Sequence, residues 1–278
     1  MFKLKTPEPV IVTNLFSEIH GELITLLKSL SESDWQKPTV CPNWSVKDVA
    51  LHLLGGEIGN LSRRRDGNVS KASINDWSEL VTFINDWNQS WVSAANHISP
   101  PLLIDLLELV GSQMCRYFQE LDPFAMGGAV SWVGPEPVPV WLDLAREYTE
   151  RWHHQQHIRD AVGMPDLKQP KYFSPVIASF IRALPRTYHE TIADENTSVT
   201  VTITGQSGGC WSVLYNNMNW TLYSGAPAKS DAEVVLDQEI AWRLFTHGIS
   251  QNIVLEQVTI KGNQTLGLKV FNMVSIIA

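Results

Sequence analysis

Between residues 13 and 162, five separate segments carry apolar side chains every three or four positions, and past residue 165 the character of the chain changes. A three-four alternation keeps one stripe of a helix facing its neighbours, so this part of the chain buries its apolar surface by packing helix on helix. Phe16, Ile19, Leu23, Leu26, Leu27 and Leu30 define a first helix over residues 13–30. In Ser45-Val46-Lys47-Asp48 a hydroxyl can reach the first free amides and an acid three residues on can reach back, which starts a second helix. It runs through Val49, Leu53 and Gly56 and is expected to fray at Asp66-Gly67. Trp77, Leu80, Ile84, Trp87, Trp91, Ala94 and Ile98 form a third seam, expected in the core and stopped by Pro100-Pro101. A fourth helix is expected over residues 102–121 and a fifth over 141–162, closed by Gly163 with Pro165 beyond. The stretch between them, "DPFAMGGAVSWVGPEPVPV", reads as a loop that lines or covers a cavity.

The prolines of "GMPDLKQPKYFSP" mark a boundary. Beyond it a helix over residues 174–192, broken at Pro185, leads into "SVTVTITG", where alternating β-branched residues predict a strand. Further strands are expected over 210–214, 220–223, 232–236 and 253–260. Asp237 is placed to cap a helix carrying Ile240, Leu244 and Phe245, and the tail from Gln264 to Ile277 is helical in spacing. The expected fold class is α plus α+β: a helical bundle over residues 1–165 and a smaller α+β domain over 174–278.

Charge and composition bound the partners. A formal charge of -8, with Arg63-Arg64-Arg65 as the only dense basic run, excludes a phosphate-binding surface for nucleic acid. No stretch approaches the roughly 20 apolar residues of a membrane span, and no leader pattern opens the chain, so a cytoplasmic protein is expected. Cys41, Cys115 and Cys210 are odd in number, far apart and without a C-x-x-C pair. They read as reduced, mostly buried thiols, not as a disulfide framework or a thiolate zinc site.

The fifth helix concentrates chemistry in "EYTERWHHQQHIRDAVG". At 100° per residue, Glu150, His154 and His157 fall within about 60° of one another, with Glu147 on the same side one turn earlier. Glu150 and His154 offer an oxygen and a nitrogen at the i, i+4 spacing that one cation bridges, and His153 with His157 is a rival pair. A third ligand has to come from elsewhere. His52, at the margin of the Val46/Val49/Leu53 stripe, points its imidazole toward the bundle interior and needs a polar partner there. A solvated polar face on the fifth helix, and an interior His52 bonded to a carbonyl, are the alternatives.

The segment "KPTVCPNWSVKDVALHLLGGE" resembles the P-T-x-C-P-x-W-S-V-x-D-x-x-x-H-L motif of the mycothiol-dependent maleylpyruvate isomerase group, within the DinB/YfiT-like metalloenzyme superfamily. Trp35, Pro38, Thr39, Cys41, Pro42, Trp44, Ser45, Val46, Asp48, His52 and Leu53 match. The resemblance implies a DinB-like four-helix bundle in which His52, Glu150 and His154 hold a divalent metal, zinc first, with nickel, iron or manganese as alternatives. "SDAEVVLDQEIAWRLFTHGI" and "VTIKGNQTLGLKVFNMVSII" resemble the sterol-carrier-protein-2-like domain that many members carry after the bundle. Two departures stand out: the usual H-x-x-D-L is His154-Gln155-Gln156-His157 here, and the usual G-D is Gly262-Asn263.

The resemblance implies a metal-dependent enzyme using a low-molecular-weight thiol on a small electrophile, by thiol transfer or by cis–trans isomerisation of the maleylpyruvate type. His157 is the candidate proton-transfer group beside the ligands, and Arg64 and Arg243 are candidates to orient an acidic substrate. The alternative is a non-catalytic carrier of an apolar small molecule with a structural metal.

Overall fold

A computed structural model describes residues 4–68 and 76–275 of the 278. The chain divides into two compact units, one helical and one built around a small sheet.

The helical unit comprises Val12–Asp122 and Glu147–Leu167. A 3-10 turn, Thr13–Leu15, leads into α1 (Phe16–Ser29). Next comes α2 (Val46–Asn60), which continues as a π-helical turn over Leu61–Arg65 and ends at Asp66 and Gly67, the glycine at φ +74°. The third and fourth helices are α3 (Trp77–Ala95) and α4 (Pro100–Glu120), and the fifth is α5 (Val140–Val162), stopped by Gly163 at φ +69°. The expected apolar stripes meet in one core of Leu23, Leu26, Leu27, Val49, Leu53, Leu54, Leu103, Leu107 and Ile158. Among the described residues no helix is long and apolar enough to cross a membrane.

The α3 seam departs from expectation. Trp87 is 62% exposed and Trp77 43%, while Val92 and Ala95 are the residues of α3 that the core buries. The three-four spacing does describe the helix, but its buried residues lie toward its C-terminal end. There the Trp91 indole donates to the Leu51 carbonyl (2.7 Å) and Lys47 donates to the Asn96 carbonyl (2.7 Å).

The other unit takes the N-terminal stretch up to Ile11, Pro123–Arg146 and Lys168–Ile277. The stretch expected as a loop over residues 122–140 contains β1 (Met126–Ala129) and β2 (Pro137–Pro139), an antiparallel pair whose Gly and Pro content masks any strand signal. Residues 123–146 belong to the sheet unit, in which Trp141 lies beneath the Arg182 guanidinium, 5.1 Å from ring centre to carbon. The helical approach to the sheet is α6 (Pro170–Phe180), a 3-10 turn and α7 (Leu184–Thr187), with Pro185 in the first turn of α7.

The sheet has the order β5-β4-β3-β6-β7, formed by β3 (Ser198–Thr204), β4 (Gly209–Asn216), β5 (Asn219–Ser224), β6 (Ala232–Asp237) and β7 (Thr259–Gly262). The β3–β6 pair is parallel and the rest antiparallel. Asp237 caps α8 (Gln238–Phe245) through the Glu239 amide, as expected.

The strand expected over 253–260 is half helix. Ser250 leads α9 (Gln251–Leu255), which buries Val254 and exposes Ile253 and Leu255, and β7 begins only at Thr259. The tail helix is α10 (Gln264–Leu268) with a 3-10 turn to Asn272, and the end of that expectation, 276–277, lies outside the described residues. Gly262, at φ +75°, sits where a Cβ would come within 2.2 Å of the Asp231 carbonyl oxygen, and Asn263 caps α10 through the Leu266 amide. An asparagine performs that cap as an aspartate does, so the Gly-Asn departure leaves the turn intact.

Candidate metal centre

The position of His52 follows from how α2 starts. The Ser45 side chain accepts from the Asp48 amide while the Ser45 amide donates to Asp48 Oδ2 (2.9 Å), a reciprocal cap that fixes the first turn. Two turns on, Val49 and Leu53 enter the core and His52, between them, is left 11% exposed beside it. The loop before α2 folds back over this ring. The Thr39 hydroxyl and amide both donate to the Trp44 carbonyl (2.9 and 3.0 Å), which sets the Trp44 ring 5.1 Å from the His52 ring.

From α5 come Glu150 and His154, one turn apart. His52 Nε2 lies 3.1 Å and His154 Nε2 lies 3.2 Å from the same oxygen, Glu150 Oε1. The three ligand atoms fall within 4.8 Å of one another. Tetrahedral ligand bonds of about 2.1 Å put neighbouring ligand atoms about 3.4 Å apart, so these contacts have the dimensions of a coordination edge. His154 is 6% exposed, and its Nδ1 has no hydrogen-bond partner among the described residues.

The protonation states suit ligation. Burial lowers the pKa of His154 despite the pull of Glu150. Burial opposes charge on Glu150 too, but the two imidazoles outweigh it and hold its pKa well below the usual carboxylate range. A neutral imidazole and an ionised carboxylate are the forms that bind metal.

The rest of the polar stripe on α5 is not a solvated face. His153, Gln155, Gln156 and His157 are all buried. His153 Nδ1 lies 3.0 Å from the Thr149 carbonyl, and since a carbonyl only accepts, that nitrogen carries the proton. Its pKa is pushed down to about 3, chiefly by burial. His157, the rival partner of His153, instead has Nδ1 3.3 Å from the Cys41 sulfur.

Cys41 is the residue sequence reasoning passed over. All three cysteines are free, half-buried thiols, but this one joins His154 and His157 in a second group of convergent ligand atoms. Its place inside P-T-x-C-P-x-W, eleven residues before His52, was the signal available. Burial pushes its pKa up and the Glu150 charge adds to that, against a lowering contact from Thr39.

A charge network missed from sequence lies behind the ligands. Arg151 donates to both oxygens of Glu57 (2.8 and 3.0 Å) and to Glu147 (2.8 Å), and Arg64 and Asn60 donate to the same Glu147 (3.1 and 2.9 Å). Burial acts against the Arg151 charge, but Glu57 and Glu147 prevail and raise its pKa. Arg64 is thus engaged with a carboxylate of the protein. Arg243 stands on α8 of the sheet unit, its guanidinium 4.4 Å over the Trp242 ring.

Fold and site together define a helical-bundle protein with a histidine–carboxylate cluster on two helices, joined to a small sheet-containing unit. The chain belongs to the mycothiol maleylpyruvate isomerase N-terminal domain family, which matches residues 16–159. Among solved structures it resembles the mycothiol-dependent maleylpyruvate isomerase at 12% identity and TM-score 0.54, over 90% of this chain and 91% of that one. A histidine-to-alanine mutant of the same description gives a TM-score of 0.53 at the same identity and coverage. Sterol Carrier Protein 2 from Yarrowia Lipolytica aligns over 36% of this chain and 87% of its own length, at 15% identity and TM-score 0.26. No curated protein sequence matches significantly.

Proposed function

We propose that the bundle binds a divalent cation, zinc in the first instance, on His52, Glu150 and His154, and that the protein is a thiol-dependent enzyme acting on a small unsaturated electrophile. The observation that carries this reading is the approach of two imidazole Nε2 atoms, from different helices, to one carboxylate oxygen. A divalent cation with an open position lowers the pKa of a thiol bound there and so maintains a nucleophile at neutral pH.

The chain's own groups define the surroundings. Trp44 walls the His52 side, and the buried α5 stripe limits water on the other. His153 binds a backbone carbonyl through Nδ1, and His157, with Nδ1 3.3 Å from the Cys41 sulfur, is our candidate for proton transfer beside the cluster. Arg64 contacts a substrate carboxylate only if its ion pair with Glu147 opens. Addition of a thiol to a cis-configured double bond, rotation and release of the thiol give isomerisation; retention of the adduct gives transfer. The relatives named for a mycothiol-dependent isomerase favour the first.

The test is metal-dependent consumption or turnover of glutathione, bacillithiol or mycothiol with maleylpyruvate. Turnover abolished by a chelator and restored by zinc supports the enzyme. Tight binding of an apolar ligand, indifferent to chelator and without thiol chemistry, supports a carrier instead.

A further inference from the structure

Cys41 Sγ lies 3.3 Å from His157 Nδ1, and a ligand atom of His154 lies within 4.8 Å of the ligand atoms of both. His154 also belongs to the His52–Glu150 cluster. We propose that Cys41, His154 and His157 form a second cation position that shares His154 with the first, a sulfur–nitrogen site for a divalent ion softer than zinc, such as cadmium. The proposal rests on the reading above that the bundle binds a divalent cation.

The groups are held in place without an ion. The Cys41 amide donates to Thr39 Oγ1 (3.2 Å) and the Cys41 carbonyl accepts from the Trp44 amide (3.1 Å), so the sulfur is carried on a pinned turn. His154 and His157 are neighbours at i, i+3 on one helix, with ring centroids 5.5 Å apart. His154 is 94% removed from solvent, being 6% exposed, and has one nitrogen at Glu150 and the other without a partner.

The two positions differ in chemistry. One offers two nitrogens and a carboxylate oxygen, the other two nitrogens and a thiolate, and thiolate selects softer ions. A neutral imidazole has a single nitrogen lone pair to give, so His154 serves one ion at a time. The positions are therefore alternatives, and the chain holds one cation rather than two. Binding on the Cys41 side releases the thiol proton to solvent. The identity of the ion then decides whether Cys41 is a ligand or a thiol beside the site.

Cobalt(II) added to the metal-stripped full chain is the probe, because thiolate ligation gives it a near-ultraviolet charge-transfer absorption that imidazole and carboxylate ligation do not. His52→Ala/Glu150→Gln protein, which retains the second group intact, is expected to bind one cobalt per chain with that absorption, and adding Cys41→Ser is expected to abolish it. In wild-type protein stoichiometric cadmium is expected to slow alkylation of Cys41 by about tenfold or more relative to Cys115 and Cys210, a measurement that needs no variant to fold. If wild-type protein binds cobalt without the absorption, the doubly substituted protein binds none while its circular dichroism is unchanged, and Cys41 stays reactive under cadmium, the second position is overturned and the first stands. If wild-type protein binds neither ion, both fall.

Discussion

Arg151 carries the heaviest electrostatic obligation of any single side chain near the cluster. It joins Glu57 on α2 to Glu147 on its own helix, with 12%, 8% and 3% of the three side chains exposed. Removing one partner of a buried ion pair leaves the other charge uncompensated, so Arg151→Ala is expected to destabilise the fold by about 3–5 kcal/mol in urea denaturation. Arg151→Met combined with Glu57→Gln is expected to lose clearly less, because no unpaired charge then remains at Glu57. His153 makes a second, pH-dependent claim. Its ordinary pKa is 6.5 and its folded value about 3, so between those values the unfolded chain binds a proton that the folded chain refuses. Stability is therefore fully present above pH 6.5 and falls as pH drops through that window. Urea midpoints at pH 7 and pH 5 are expected to diverge in wild-type protein and to converge partly in His153→Gln.

At the scale of elements, Gly55 shows how closely α2 and α3 approach. A Cβ there would lie 2.5 Å from two atoms of the Trp91 indole, whose nitrogen is bonded to Leu51 one turn earlier. Gly55→Ala is expected to cost about 1–3 kcal/mol through overpacking, even though alanine favours helix, and to alter Trp91 fluorescence. What could be read in advance at this scale was whatever local chemistry fixes. The Ser45/Asp48 cap, the Gly163 stop and the β-branched run of β3 each appear where expected, since each depends on neighbours in sequence. The solvent exposure of Trp77 and Trp87 was not legible, because a stripe's spacing says that one face can pack without saying how far along the helix a partner reaches. The strand expected over 253–260 failed for a related reason: a short apolar run carries no period long enough to tell α9 from β7. Within the cluster, His52, Glu150 and His154 were within reach of helical geometry and motif resemblance, whereas Cys41 was read only as a buried thiol. Its approach to His157 spans 116 residues of chain and depends on how the turn before α2 folds back.

For the molecule as a whole, a cation that binds the folded bundle and not the unfolded chain adds its binding free energy to stability. At a free concentration 100 times its dissociation constant that contribution is about 2.7 kcal/mol. Stripping the metal is expected to lower the melting temperature of wild-type protein, with recovery on adding zinc, and to leave a variant without ligands unmoved. The division of the chain bears on how such measurements are read. Because residues 123–146 group with the sheet unit, a fragment ending near residue 167 would separate β1, β2 and Trp141 from Arg182, so ligand variants belong in the full chain. The most direct test of the central claim is the metal content of purified, correctly folded His154→Ala protein, the one substitution that removes a ligand common to both groups. The account predicts close to one ion per chain in wild-type protein and a small fraction of that in the variant. Undiminished metal in His154→Ala would contradict it.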